Sequence, residues 1–503
     1  MSAGSAGSVG NVGDDYLAAL QLAALEGAVR LTAAVAPAGA APPRRRSGWG
    51  RLRASRRRSA AEELRCRRCG SGNESLRRTP CAACGGHACA YCEACVTMGR
   101  SRACGLLVIG AAPLEAGAPA WAPAAAHPLG RWSLSPAQRE AAAAALRFLG
   151  GDRGEPAARR HNNKFLLWAV TGAGKTEMIF PLLEAILSRG GRALVATPRR
   201  DVVLELAPRL AAAFPGYSRA VLYGGSADRW ENAALTLATT HQLIRFQEAF
   251  DLVLIDEMDA FPYRDDEMLQ FAAAKCCRPD GVTLYLSATP PPDMQRAVKR
   301  GRLPCARVPV RFHGHPLPVP KRITLPPISR WLRSGKLPKQ LLKPFRASVL
   351  RGAQLFVFVP MIRYVDPLVR LLRKAGPSLG IDEEAQIEGT SSKDALRADK
   401  VSGFRERSIR VLITTTILER GVTIPKSDVI VLDADDALFD AAALVQMAGR
   451  AGRSAADPNG AVTFAGRNLT QPQRGAIRQI RGMNKIAAKQ GYLQTPAEEA
   501  SIR

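Results

Sequence analysis

The segment Ala169-Val-Thr-Gly-Ala-Gly-Lys-Thr176 limits the folds open to this chain more than any other. It follows an apolar run, Phe165 to Val170, and precedes an apolar stretch with helical spacing, so it reads as strand, glycine-rich turn and helix in succession. Binding a phosphate chain takes convergent backbone N–H groups, a helix N-terminus, one cation and one hydroxyl. Thr171, Gly172, Ala173 and Gly174 supply the turn, Lys175 the cation for the β- and γ-phosphates, and Thr176 the hydroxyl for Mg²⁺. Ala169 stands where the strict form of this loop has its first glycine. ATP with Mg²⁺ is the expected occupant.

Further along, Leu252-Val-Leu-Ile-Asp-Glu-Met-Asp259 is an apolar strand ending in carboxylates. By itself such an end is a solvated turn. Placed about 80 residues after a phosphate loop, it delivers side chains to the nucleotide crevice of a parallel sheet. Asp256 then holds Mg²⁺ through water, Glu257 orients and deprotonates the attacking water, and Asp259 couples to other motifs. Ser287-Ala-Thr-Pro290 offers hydroxyls to that acidic cluster. Gln446-Met-Ala-Gly-Arg-Ala-Gly-Arg453 sets Arg450 and Arg453 three residues apart, on one helical face, as candidate arginine fingers. Its glycines permit close approach to another lobe, and the competing reading is a basic surface helix. Upstream, Leu134-Ser-Pro-Ala-Gln138 is expected to set Gln138 against the adenine edge.

The apolar runs Phe165 to Val170, Ala193 to Ala196, Leu235 to Ala238, Leu252 to Ile255 and Leu284 to Leu286 alternate with helical segments, the pattern of a doubly wound α/β sheet. After a Pro-rich stretch, Pro290 to Pro327, a second series begins at Leu355 to Val359 and continues with Val411 to Thr414, Val429 to Leu432 and Ala461 to Phe464. The strand-end residues Pro198, Arg199, Gly225, Thr239, Thr240, Thr415 and Thr416 are candidate contacts for the phosphates of a nucleic-acid strand, with N–H and O–H donors from all but the proline. Each is as readily an ordinary turn residue, and their order along the chain gives them weight.

With 503 residues there is room for roughly three domains. A net charge of +27 favours a polyanionic partner, nucleic acid first. No run approaches the roughly 18 apolar residues of a spanning helix, and the start carries no signal-peptide pattern, so a cytoplasmic protein is expected. Eleven arginines between Arg44 and Arg68 make a basic arm, either a phosphate-contacting segment or a solvated linker. Eight of the eleven cysteines fall between Cys66 and Cys104, six of them in CxxC pairs, which reads as Zn²⁺ ligation rather than disulfide stapling.

The ordered set of phosphate loop, DEMD, SAT, TTTILERGVT and QMAGRAGR resembles the superfamily 2 helicases and translocases. The longer strings AVTGAGKTEM, ATPRRDVVLELAPRL, LATTHQLIRFQEAFDLVLIDEMDAFPY, RFHGHPLPVPK and TTTILERGVTIP resemble the late competence protein ComFA family, from about Arg65 to the C-terminus. The resemblance implies two tandem RecA-like parallel-sheet lobes behind a small four-cysteine zinc module. It also implies a cytoplasmic ATPase, peripheral at the inner membrane face through a partner, that drives single-stranded DNA through the channel protein ComEC alongside ComFC. A homo-oligomer is a further expectation. By the same resemblance Cys66, Cys69, Cys92 and Cys95 are the zinc ligands. Cys81, Cys84, Cys89 and Cys104 depart from that four-cysteine pattern, which leaves one zinc or two open: either Cys81 and Cys84 hold a second ion with two of Cys89, His87 and Cys104, or the ligand sets interleave, or a redox disulfide takes the remaining thiols.

The expected divisions are a flexible region at 1–60, a zinc module at 61–108, a linker at 109–129, lobes at 130–306 and 307–470, and a helical tail at 471–503. The function expected is ATP-dependent translocation of single-stranded DNA in natural competence. A duplex-unwinding helicase of the primosomal, replication-restart type is the alternative, although its cysteines interrupt the motor whereas these precede it. An RNA helicase fits DEMD and the cysteine module poorly, and a non-enzymatic DNA scaffold fits the intact Lys175, Thr176, Asp256, Glu257, Arg450 and Arg453 poorly.

Overall fold

The computed structural model describes residues 12–37, 63–110, 129–150, 163–229, 231–381, 383–418 and 424–494. The basic arm up to position 62, most of the linker expected at 109–129, residues 419–423 and the last nine residues lie outside them.

The beginning of the chain departs from expectation. A helix, Val12–Leu25, is followed by strands β1 (Val29–Ala33) and β2 (Val35–Pro37). Strands β3 (Leu64–Cys66), β4 (Leu76–Thr79), β5 (Cys89–Cys92) and β6 (Leu106–Gly110) follow, with Cys66 on β3, Cys89 and Cys92 on β5, and the module's other cysteines in the connections. β1 pairs with β6, β2 with β3 and β4 with β5, all antiparallel. Between β1 and β2 the carbonyl of Ala34 accepts from the Arg67 N–H at 2.9 Å and the Ser101 hydroxyl at 3.3 Å. Residues 12–37 are thus part of the cysteine module, which corrects the flexible region expected at 1–60. The Val29-Arg-Leu-Thr-Ala33 alternation suits a two-stranded ribbon that needs a distant partner to form.

The first lobe holds seven parallel strands: β7 (Lys164–Ala169), β8 (Ala193–Thr197), β9 (Arg219–Leu222), β10 (Leu235–Thr239), β11 (Phe250–Asp256), β12 (Cys277–Ser287) and β13 (Cys305–Val308). Their order is β13-β7-β12-β11-β8-β10-β9. Helices cover both faces, so the central strands are continuous apolar runs, as read from the sequence. β9 and β13, short edge strands with exposed arginines, gave no such run. β13 also straddles the boundary expected at 306, because it pairs with β7.

The second lobe has β14 (Lys321–Thr324), β15 (Gln354–Phe358), β16 (Ile387–Thr390), β17 (Val411–Thr414), β18 (Ser427–Val431) and β19 (Val462–Gly466). These are again parallel, in the order β14-β19-β18-β15-β17-β16. The two sheets are the tandem RecA-like pair. The helix Gln471–Lys489 is not a detached tail: Ala476, Ile480, Met483 and Ala487, three and four apart, are buried in the core, and the Gln479 amide donates to the Ala288 carbonyl at 2.8 Å.

Candidate active site and metal centre

Because the lobe-one strands are parallel, their C-terminal tips share one end of the sheet, where β7 and β11 release their loops on either side of β12. The turn after β7 enters the helix Lys175–Leu187 through Gly174, whose φ is +69°. A Cβ on Gly174 would sit 2.4 Å from Gln138 Nε2. Gln138 closes a capping box at the start of the helix Pro136–Leu149, accepting from the Ser135 N–H at 2.8 Å, while its Nε2 donates to the Ala173 carbonyl at 2.8 Å. Its carboxamide therefore braces the phosphate turn.

Lys175 Nζ lies 3.8 Å from Asp256 Oδ1 across the crevice. Glu257 has φ +53°, the left-handed region that costs a side-chain-bearing residue roughly 1–2 kcal/mol, and its N–H donates to Asp256 Oδ1 at 2.8 Å. Strain of this kind, held at a strand tip between two carboxylates, is a mark of a working site. The Thr176 hydroxyl accepts from Arg209 Nη1 at 3.2 Å, and Arg209 also pairs with Glu177. Arg209 carried no sequence signal, because its helix, Arg200–Ala213, reads only as a crossover.

Gln446, Arg450 and Arg453 of lobe two line the opposite wall of the same cleft, which encloses about 850 Å³. Gln446 sits in the helix Ala441–Ala448, which ends at Gly449, where a Cβ would lie 2.0 Å from Thr171 Oγ1 of the phosphate turn; Arg450 and Arg453 follow in the turn beyond it, not on one helical face as expected. Only glycine allows the lobes to approach this closely. Arg450 is buried, and Arg453 donates from Nε to the Gly449 carbonyl at 3.0 Å. Burial draws the Arg453 pKa down while the charges of Glu257 and Glu205 oppose that, so this guanidinium lies within electrostatic reach of both carboxylates. The sequence reading missed Arg311, which is fully buried and donates from Nη1 to the Gly452 carbonyl. Burial first, and Arg453 second, push its pKa to about 9. The neighbouring Phe312 N–H donates to the Gly172 carbonyl at 3.1 Å, so Arg311 and Phe312 together strap the phosphate turn to lobe two.

A second bridge runs through hydroxyls. Ser287 Oγ and Thr289 Oγ1 donate to the two oxygens of Asp259 at 2.6 and 2.5 Å, and Gln446 Nε2 donates to Thr289 Oγ1 at 3.1 Å. Three motifs far apart in sequence thus form one continuous hydrogen-bonded path between the lobes.

Pro198 and Arg199 follow β8, Thr239 and Thr240 follow or end β10, and Thr415 and Thr416 follow β17. Arg199 reaches across to the Ile417 carbonyl at 3.4 Å, and Gly225 is an exposed turn residue with φ +89°. Pro198, Thr239 and Thr415 are buried, contrary to expectation. Thr240 is fully buried in the short helical turn Thr240–Arg245, and it presents no surface to a strand, contrary to expectation.

In the module, Cys66, Cys69, Cys92 and Cys95 are buried with all four sulfurs within 4.8 Å of one another. Cys66 and Cys95 sulfurs are 3.8 Å apart, Cys69 and Cys92 sulfurs 3.5 Å. A tetrahedral Zn²⁺ with Zn–S bonds of about 2.3 Å has sulfur–sulfur edges of about 3.8 Å, so this donor set fits the ion. Without a cation, the sulfurs of Cys66 and Cys69 hold the Cys92 and Cys95 thiols well above their ordinary pKa, which a divalent ion relieves. The module rests on lobe one: Lys275 donates to the Arg68 carbonyl at 2.6 Å, and Gly70 packs on the Phe271 ring.

Three family models match the chain. They are the competence protein ComFA N-terminal domain over residues 52–109, the type III restriction enzyme res subunit over 131–292 and the helicase conserved C-terminal domain over 336–455. Competence protein ComFA of Bacillus subtilis is 41% identical over 65% of this chain and 69% of its own. The Streptococcus pneumoniae ComFA is 38% identical over 64% of this chain and 73% of its own. ATP-dependent DNA helicase RecG of S. pneumoniae is 26% identical over 58% of this chain and 44% of its own. Among solved structures, the Mycobacterium smegmatis helicase Lhr has a TM-score of 0.46 at 18% identity, covering 72% of this chain and 51% of that one.

Proposed function

Since this chain belongs to the competence protein ComFA family, we propose that it is an ATP-driven translocase that pulls single-stranded DNA during uptake of transforming DNA. That it is a helicase-type ATPase follows from the two helicase domain matches. The observation that carries the rest is the cleft, with Lys175, Asp256 and Glu257 on one wall and Gln446, Arg450 and Arg453 on the other. A site split between two lobes couples the chemical state of the nucleotide to the lobes' separation, which is what a stepping motor requires.

In this reading Lys175 and the turn from Thr171 to Gly174 hold the β- and γ-phosphates, and Gln138 keeps the turn in shape beside the adenine. Thr176, freed from Arg209, and Asp256 would hold Mg²⁺, which when bound neutralises charge on the phosphates. Glu257 orients the attacking water and takes its proton. Arg450 and Arg453 stabilise the charge that develops on the γ-phosphate. The Asp259–Thr289–Gln446 path reports that state to the strand ends, where Arg199, Gly225 and Thr416 keep exposed surface to grip DNA phosphates without reading bases, whereas Pro198, Thr239 and Thr415 are buried. The channel protein ComEC and ComFC are the partners proposed, at the inner membrane face. No described helix is long and apolar enough to cross a membrane.

ATP turnover with single-stranded DNA, duplex DNA and single-stranded RNA at equal nucleotide concentration tests this. Stimulation by single-stranded DNA alone is expected. Equal or greater stimulation by duplex points instead to an unwinding helicase of the replication-restart kind.

A further inference from the structure

Once the first quartet is formed, four cysteines of the module remain: Cys81, Cys84, Cys89 and Cys104. Their sulfurs also lie within 4.8 Å of one another. Cys104 is 3.7 Å from Cys81 and 3.6 Å from Cys89, again close to the edge of a ZnS₄ tetrahedron, about 3.8 Å. We propose that these four hold a second Zn²⁺, so that the module is a two-zinc fold with interleaved ligand sets.

Backbone geometry supports this independently of the sulfur positions. Cys66-Arg-Arg-Cys69-Gly70 and Cys81-Ala-Ala-Cys84-Gly85 build the same turn twice. In each, the first cysteine's N–H donates to the carbonyl five residues on, Cys66 to Ser71 and Cys81 to Gly86, both at 3.0 Å. In each, the glycine N–H donates back to that cysteine's carbonyl, at 2.8 Å from Gly70 and 2.9 Å from Gly85. Both glycines have positive φ, +79° and +68°. A turn that holds two ligands of the first ion has a duplicate that holds two ligands of the second.

The charge arrangement is duplicated as well. Arg68 Nη2 lies 3.0 Å from Cys95 Sγ, and Arg102 Nη1 lies 2.9 Å from Cys81 Sγ. A dication with four thiolates carries a net charge of −2, and one guanidinium against each quartet offsets part of it.

Strand β5 explains the interleaving. Cys89-Ala-Tyr-Cys92 has the CxxC spacing of a turn, but it is extended, and residues three apart on a strand point to opposite faces. Cys92 therefore serves the first quartet and Cys89 the second. Cys104 is brought in by the Tyr91–Arg102 bridge and by the Ala103 N–H, which donates to the Ala90 carbonyl at 2.8 Å. His87 is not in the cluster, so the second ligand set is all sulfur. The two centres differ in setting: the first is buried, whereas Cys84 and Cys104 of the second are exposed.

The test is metal analysis of the full-length protein, purified under reducing conditions without chelator, with native thiols counted by Ellman's reagent. The expected result is two zinc per chain, with the thiols of both quartets unreactive. Cys104→Ser is expected to lower the content from two to one while nucleotide binding persists. If that variant does not fold, Co²⁺ titration of the metal-free wild type replaces it, and the tetrahedral thiolate absorbance should rise to two equivalents. One zinc per wild-type chain with Cys84 and Cys104 reactive, a cobalt signal that saturates at one equivalent, or two zinc retained in folded Cys104→Ser, overturns the proposal.

Discussion

The lobes and the cysteine module reach a defined structure by different physics. In the lobes, strands buried on both faces pack against helices, and one apolar core runs from Ala137 to Ala487 through both sheets. In the module the buried cluster is Cys66, Cys69, Cys92 and Cys95, and among the described residues Leu76 and lobe one's Met268 are the partly buried hydrophobics packed on it. A core of that size does not balance the chain entropy of the segment, so a module that binds Zn²⁺ as proposed would draw its stability from the ion. The two regions meet where Lys275 and Phe271 hold the module to the helix Glu267–Cys276, which follows the DEMD strand. The comparison teaches that the paired lobes are the stable platform and that the module, on this reading, is a conditional attachment to them.

Metal removal should separate them most sharply. Structural zinc contributes about 10–16 kcal/mol in small domains, so stripping it with a strong chelator is expected to unfold the module and leave the lobes folded. Limited proteolysis would then cut between residues 63 and 110, with the lobes' thermal transition preserved. A single transition lost altogether on chelation would mean that the contrast is wrong.

A smaller effect tests the motor side. Glu257→Gln keeps the side chain's size and the strained backbone but removes the base, so turnover should fall roughly 10²–10⁴-fold with ATP affinity unchanged. Its zinc content should equal that of the wild type. Retained turnover would remove Glu257 from the role given it.

The smallest effect concerns coupling. Thr289→Val cuts the path from Asp259 to Gln446 while nearly preserving volume, and losing a buried hydrogen bond of about 1–2 kcal/mol corresponds to roughly a tenfold change. The loss is expected in stimulation of ATPase by nucleic acid, with basal turnover changed far less. An equal drop in both would assign Thr289 to the chemistry rather than to the relay.

Local signals were readable where neighbouring residues in the chain are also neighbours in the site. The phosphate turn, the DEMD strand end and the CRRC and CAAC turns each lie within a few residues, and backbone geometry alone places their side chains. Arg209 and Arg311 were not singled out for the opposite reason: each acts on a segment more than 30 residues away, and an arginine in a crossover helix or a loop has no spacing to announce its partner, even inside a string that resembles a family. Thr240 sat in the right order of motifs, yet the turn it begins folds inward.

What the sequence by itself determined was the chemistry available: a phosphate turn, an acidic strand tip, paired arginines and thiolates in metal-binding number. The alternation of apolar runs and helical segments set the two α/β lobes as well, because burial on both faces leaves a mark at every position of a central strand. The tertiary structure decided which groups meet. It brought Gly449 against Thr171, turned Cys89 away from Cys92, and folded residues 12–37 onto a module that begins more than 20 residues later. The physical reason is that spacing reports direction only within one element, whereas contact across lobes or between strands depends on the packing of the whole chain.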